Sequence, residues 1–360
     1  MNIAIDQPVA EAIANDAVVV FNLSGGKDSG ATAQAVTDYL DGIGHPRDRR
    51  IAIHADLGRA EWQSTPAIVE AVAAKVGLEL VVVRRKAGDM VARWESRFAS
   101  GKRRYANLET YNLIGPWSSA SLRFCTSELK AQVIGPYLAK RFAGQRVVQV
   151  VGIRRDESAN RAKAEISKPD HRYAKPGNRA GTSMMLWHPL LDWTTEQVFG
   201  CHKANDLPLH TAYTKYGSTR LSCAFCIMAS IHDLEAATNA IGNLPLYLHL
   251  VGMEAGSTFS FQPARWLGDV APRLMQADLA ARWQVGRERA DQRQAIEAAM
   301  PPELRYVAGW PPRMPDAAEA TEIAGARRVI LGHHDLPPNF TDRDSVLRRF
   351  AELIDMKEAA

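Results

Sequence analysis

The chain has 360 residues, 46% of them hydrophobic and 23% charged, enough for one large domain or a core domain with a smaller one. Its 44 Lys and Arg against 40 Asp and Glu leave a formal charge of only +4, so charge alone makes no case for a nucleic-acid binder. The start Met1-Asn2-Ile3-Ala4-Ile5-Asp6 lacks the basic and apolar regions of a signal peptide, and no apolar run approaches membrane-spanning length; a cytoplasmic protein is expected.

The first element is an apolar, β-branched run, residues 17–23, that reads as a buried strand, and Gly30-Ala31-Thr32-Ala33 opens a helix. Between them lies Ser24-Gly25-Gly26-Lys27-Asp28-Ser29, a strand-to-helix turn. Its glycines let backbone approach an anion, the two serine hydroxyls and the helix N-terminal amides can bond phosphate oxygens, and Lys27 supplies countercharge. It is not a Walker A loop, which would carry Ser or Thr where Asp28 follows Lys27.

Further strands are expected at residues 50–56, 78–84 and 146–152, with helical spacing at 65–76 and 128–142. That alternation implies an α/β fold with a doubly wound parallel sheet, whose ligands gather at the carboxyl ends of the strands. Three such ends carry polar or glycine-rich turns: Ser24, Asp56-Leu57-Gly58 and Gly152-Ile153-Arg154-Arg155. Residues 86–123 form a basic and aromatic stretch, read as a functional insertion or as unplaced helices, and residues 154–181 look mobile. Trp94, Tyr105 and Trp117, with nearby basic clusters, are available for stacking on a nucleic acid, although solvated charge runs are the commoner explanation. Past residue 230 the chain is Ala-rich and helix-like with Pro punctuation, which suggests a core domain over 1–230 and a mainly helical region over 231–360.

Four cysteines fit a metal or redox site in a reduced compartment better than a disulfide framework. Cys223-Ala224-Phe225-Cys226 is half of such a site, and Cys125 and Cys201 are the other thiolates. Four thiolates suit either an iron–sulfur cluster or zinc, with His202 or His210 able to substitute for one of them. Cys201 lies in a helix-like segment where it could equally be a small core side chain.

Five segments in order resemble the PAPS reductase-like branch of the PP-loop ATP pyrophosphatases: residues 24–29, Asp56-Leu57-Gly58, Arg123-Phe124-Cys125-Thr126 with Lys130, the run from Gly152 to Ser158 with Arg161, and His188-Pro189-Leu190-Leu191-Asp192-Trp193 leading to Cys223 and Cys226. The resemblance covers about residues 17–230 and implies an adenine nucleotide alpha hydrolase-like, Rossmann-like fold. Within the branch, sulfonucleotide reductases carry a degenerate phosphate loop and a Glu-Cys-Gly tail; here the loop is intact and no cysteine follows Cys226. The chain is therefore more similar to the sulfur-inserting ATP pyrophosphatase of DNA phosphorothioation systems.

That resemblance implies ATP on Ser24, Gly25, Gly26, Lys27, Asp28 and Ser29, with Asp56, Gly58 and Gly152 completing the nucleotide site and Asp28 and Asp56 meeting Mg²⁺. Lys27, Asp28, Arg154 and Arg155 are the expected catalytic residues, though Asp56 could be a simple turn residue and the arginines surface groups. A [4Fe–4S] cluster on Cys125, Cys201, Cys223 and Cys226 is implied ahead of zinc. A nucleic-acid acceptor, a cysteine desulfurase or other sulfur donor, and self-association are the implied partnerships. The alternatives are a sulfonucleotide reductase and a non-catalytic nucleotide or iron–sulfur regulatory module.

Overall fold

The computed structural model describes residues 2–263 and 265–359. In chain order it contains helix α1 (Gln7–Ala14), strand β1 (Val18–Asn22), α2 (Lys27–Gly42), β2 (Arg50–Asp56), α3 (Thr65–Lys75), β3 (Glu79–Arg84), α4 (Met90–Ala106), the short α5 (Phe124–Thr126), α6 (Gln132–Arg141), β4 (Arg146–Val150), α7 (Ala159–Ala162), β5 (Ser167–Pro169) and β6 (Ser183–Trp187). The helices that follow are α8 (Thr195–Ala204), α9 (Thr211–Thr214), α10 (Ile231–Thr238), α11 (Leu244–Ser257), α12 (Ala277–Ala299), α13 (Ala317–His333) and α14 (Arg343–Glu358).

The chain divides into two compact units, Met1–Met90 with Arg123–Asn243, and Val91–Leu122 with Leu244–Ala360. Set beside the boundary expected at residue 230, α10 stays with the first unit, and most of the stretch 86–123 joins the C-terminal helices rather than forming an insertion in the sheet unit.

The first unit is built on one six-stranded sheet in the order β3-β2-β1-β4-β6-β5. All neighbours run parallel except β5, which pairs antiparallel with β6 at the edge. Alternate residues of the central strands point to opposite faces. Val19, Phe21, Ala52, Val148 and Val150 pack with α1, α2, α3 and α8, while Val18, Val20, Ile51, Ile53 and Val147 pack with Leu138 of α6. With both faces covered, the strands read as continuous apolar runs, and the sheet is doubly wound as expected. The strands β5 and β6 were not anticipated, because Ser183-Met184-Met185-Leu186-Trp187 lacks β-branched residues and Pro169 is tolerated only at an edge.

The second unit is helical, with cores such as Leu108, Leu304, Ile323, Val346 and Phe350. Charged side chains are buried in it, Glu254 and Arg327 most deeply. Glu254 accepts hydrogen bonds from the Phe261, Leu267 and Gly268 amides and from Trp283 Nε1, and Arg327 donates to the carbonyls of Tyr105, Ala106, Asn339 and Phe340. The aromatic residues expected to stack on nucleic acid serve this core instead. Trp94 and Tyr105 are 2% and 0% exposed, and Trp117 packs edge-on to Trp94 while its indole donates to the Phe259 carbonyl. Composition alone could not show which way these rings face.

Candidate functional site

The strand order reverses between β1 and β4, so their carboxyl ends flank the crevice where open α/β sheets take ligands. β1 delivers the loop Ser24–Ser29 to this crevice, and β4 delivers Gly152 to Arg155. Gly25 turns with φ of +76°, a left-handed conformation that suits glycine. Gly26 caps α2 with no side-chain hydrogen bond, which leaves first-turn amides without the usual cap. Within the loop, the Ser24 Oγ and Ser29 Oγ lie 3.2 Å apart, and Ser29 Oγ donates to the Gly26 carbonyl at 2.9 Å.

Lys27 is buried at 6% exposure, and Nζ lies 3.0 Å from Asp28 Oδ2. The other Asp28 oxygen takes Arg154 Nε at 2.7 Å, and Arg154 also pairs with Asp156 at 2.5 Å. Burial works against the Arg154 charge, but Asp28 and Asp156 hold its pKa above the ordinary value. Both ends of the crevice are thus joined by one ionic chain, Lys27–Asp28–Arg154. Gly152 permits the approach, since a Cβ there would lie 2.7 Å from Thr32 Oγ1 and 2.8 Å from the Asp28 carbonyl.

The other expected residues sit nearby with different partners. Arg155 pairs with Asp192 at 2.8 Å and donates to the Ala162 and Ala164 carbonyls, so it braces its own loop rather than the phosphate loop. Asp56 binds Arg84 at 2.6 Å and the Gly58 amide at 2.6 Å. Ser158 caps α7, accepting from the Arg161 amide. Both Asp28 oxygens hold cations and both Asp56 oxygens are engaged, so a Mg²⁺ ion at this pair would have to join or displace those partners.

Several contributors had no local signal in the sequence. Phe199 and Tyr213 flank the Lys27 ammonium at 6.0 and 5.6 Å from their ring centroids. His202 Nε2 donates to the Lys27 carbonyl at 2.7 Å, and Tyr213 Oη accepts the Lys27 amide at 3.4 Å. His54, buried on β2, bonds the Leu23 carbonyl through Nδ1 at 2.9 Å and faces Glu61 through Nε2 at 3.4 Å. Burial opposes a charge on His54, yet Glu61 and that carbonyl hold its pKa above the ordinary value.

The cysteines divide into two groups. Cys223, Cys226 and Cys125 share one electrostatic neighbourhood with Lys130: burial pushes the Cys223 thiol up to about 12, Cys226 and Cys125 add to the rise, and Lys130 opposes it. The loop is tied to the turn that follows β2 by the Ala224 amide, which donates to the Ala60 carbonyl at 2.9 Å. Cys201 instead is 2% exposed among Val198, Leu207 and Trp193, with its sulfur 3.8 Å from Asn205 Nδ2. Of the two sequence readings of Cys201, this placement fits a core side chain and not a ligand. Among the described residues no three His, Cys, Asp or Glu side chains converge at single-ion spacing. Cys125, Cys223 and Cys226 are soft sulfur donors with Lys130 nearby.

A glycine-rich loop at a helix N-terminus, set at the reversal point of a parallel sheet, defines a nucleotide-binding α/β protein. Residues 18–229 match the phosphoadenosine phosphosulfate reductase domain, and the chain belongs to that family. A solved phosphoadenylyl-sulfate (PAPS) reductase from Candida auris, in a phosphate complex, is similar at 13% identity over 62% of this chain and 98% of that chain, with a TM-score of 0.37. No curated protein sequence is matched.

Proposed function

We propose that the protein is an ATP-dependent sulfur-transfer enzyme. The observation that carries this reading is the intact phosphate loop, in which a buried Lys27 is linked through Asp28 to Arg154 across the crevice. ATP phosphates bind the loop amides and the serine hydroxyls. Their charge draws on Lys27 and Arg154, which the protein has already paid to desolvate and orient. An acceptor oxygen then bonds to the α-phosphorus while the bond to the bridging oxygen breaks, and pyrophosphate leaves. Magnesium arrives with the nucleotide in this scheme, and Asp28 and Asp56 would meet it by trading partners they now hold.

Sulfur next displaces AMP from the adenylated acceptor. Cys125, Cys223 and Cys226 would hold an iron–sulfur cluster, which when bound supplies an iron position able to carry sulfide. Nucleic acid is the proposed acceptor and a cysteine desulfurase the proposed donor. Lys163, Lys168, Lys175 and Arg179 are exposed in the segment after Arg154 and suit a phosphate backbone. A second reading, reduction of a sulfonucleotide, draws support from the family match. Against it stands the intact Ser24–Ser29 loop with its buried Lys27.

The test is product analysis on anaerobically prepared protein. Pyrophosphate released from Mg-ATP only with a nucleic-acid acceptor supports sulfur transfer; sulfite released from PAPS with thioredoxin supports reduction. ATP binding without turnover under either condition leaves a regulatory module and defeats both.

A further inference from the structure

Tyr213 occupies a position between the two halves of the site. Its phenol oxygen accepts the Lys27 amide at 3.4 Å and the Leu221 amide at 3.0 Å. Lys27 opens α2 at the phosphate loop, and Leu221 stands just ahead of Cys223. A phenol has two lone pairs and one proton. Both lone pairs are used here, and the proton has no acceptor among the described residues. The oxygen also overlies the loop, 3.6 Å from where a Cβ on Gly26 would stand.

The ring is fixed in place. It meets Phe199 edge-on at 6.1 Å, and α9, which carries it, is capped by His210, whose Nδ1 accepts the Ala212 amide at 2.9 Å. His210 Nε2 in turn lies 3.2 Å from Ser64 Oγ and from Thr65 Oγ1, and Thr65 packs against Gly25. A free phenol proton is therefore held over a phosphate-binding turn by an oxygen that also bears on the cysteine loop.

We propose that Tyr213 is a phosphate-sensing residue: its phenol donates to a phosphate oxygen seated on the Ser24–Ser29 loop while accepting the Leu221 amide, and so ties phosphate occupancy to the position of the Cys223–Cys226 loop. A phosphate oxygen competes with the phenol for the Lys27 amide. Released from that amide, the phenol turns its proton to the anion, and the chain phosphate–phenol–Leu221 is strengthened by mutual polarisation. By linkage, a well-held cysteine loop favours phosphate to the same degree. The inference rests on the nucleotide-binding part of the proposed function, and not on the nature of the sulfur acceptor.

The experiment is hydrogen–deuterium exchange of residues 218–226, with and without saturating Mg-ATP, in wild type and Tyr213→Phe, alongside calorimetric titration of Mg-ATP into each. Mg-ATP is expected to slow exchange in this segment at least about fivefold in wild type. In Tyr213→Phe, affinity falls about tenfold and saturating Mg-ATP no longer slows the segment. Equal slowing in the variant overturns the proposal. So does wild type that binds Mg-ATP with no slowing, a result that stands even if the variant fails to fold. Wild type that does not bind Mg-ATP removes the nucleotide reading itself.

Discussion

Two sets of buried charge, Glu254 with Arg327 in the helical unit and Lys27 with Asp28 and Arg154 in the sheet unit, are satisfied by different partners. In the helical unit, Glu254 rests on three peptide amides and an indole, and Arg327 on four peptide carbonyls. In the sheet unit, Lys27, Asp28 and Arg154 are satisfied by one another. Peptide groups cannot leave without unravelling the loops they belong to, so the first kind of buried charge is a staple. Side-chain ion pairs can exchange a partner for a ligand's charge at little structural cost, so the second kind is available for binding. Burial of a charge marks a site only when its partners can be traded.

The largest effect expected from this contrast is on stability. Arg327→Ala leaves four carbonyls without their donor and should cost about 5 kcal/mol in denaturant unfolding. A loss below about 1 kcal/mol would mean that water replaces the guanidinium and that the staple is not one. Lys27→Ala should instead cost about 4 kcal/mol in Mg-ATP affinity, roughly a thousandfold, with the unfolding midpoint close to wild type. Unfolding of this variant with affinity retained would reverse the contrast.

A pH series sharpens it further. Burial lowers the His210 pKa from 6.5 to about 4, and its Nδ1 accepts the Ala212 amide, a role a protonated ring cannot fill. The unfolded chain therefore binds a proton at a higher pH than the folded one. Stability from this group is full above about 6.5 and is lost as pH falls toward 4, about 3 kcal/mol in all. Melting from pH 8 to pH 4 should show a shallower decline in His210→Gln than in wild type; parallel curves would show that the ring titrates normally. The smallest effect belongs to Cys201→Ala, with about 1 kcal/mol of lost packing and unchanged iron and sulfide content. If the proposed cluster is held by Cys125, Cys223 and Cys226, Cys223→Ala loses its chromophore, and equal metal loss in both variants would return Cys201 to the ligand set.

How much was legible in the sequence follows the range of each interaction. The loop Ser24–Ser29 could be read because strand, turn and helix signals lie within a few adjacent residues, and β1, β2 and β4 could be read because fully covered parallel strands are apolar throughout. The sequence pointed to Arg154 as well as Arg155 at the end of β4, but only the fold shows that one reaches Asp28 while the other braces Ala162 and Ala164. Tyr213, Phe199, His54 and Glu61 carry no motif of their own and reach the site through tertiary contacts alone. The ambiguity over Cys201 was real, since a helical cysteine looks the same as ligand or as core, and only the fold shows it buried in the apolar cluster that holds Val198 and Leu207. Trp94 and Tyr105 were misread for a related reason: basic residues close in sequence suggested a binding face, while the rings point into the helical core.

The most direct test is a paired titration of Mg-ATP and PAPS into anaerobically purified protein, with Lys27→Ala beside it. The intact loop predicts tight Mg-ATP binding that the substitution removes, and weak PAPS binding. Preference for PAPS, or Mg-ATP binding that survives loss of Lys27, would contradict the reading of Ser24–Ser29 as an ATP site.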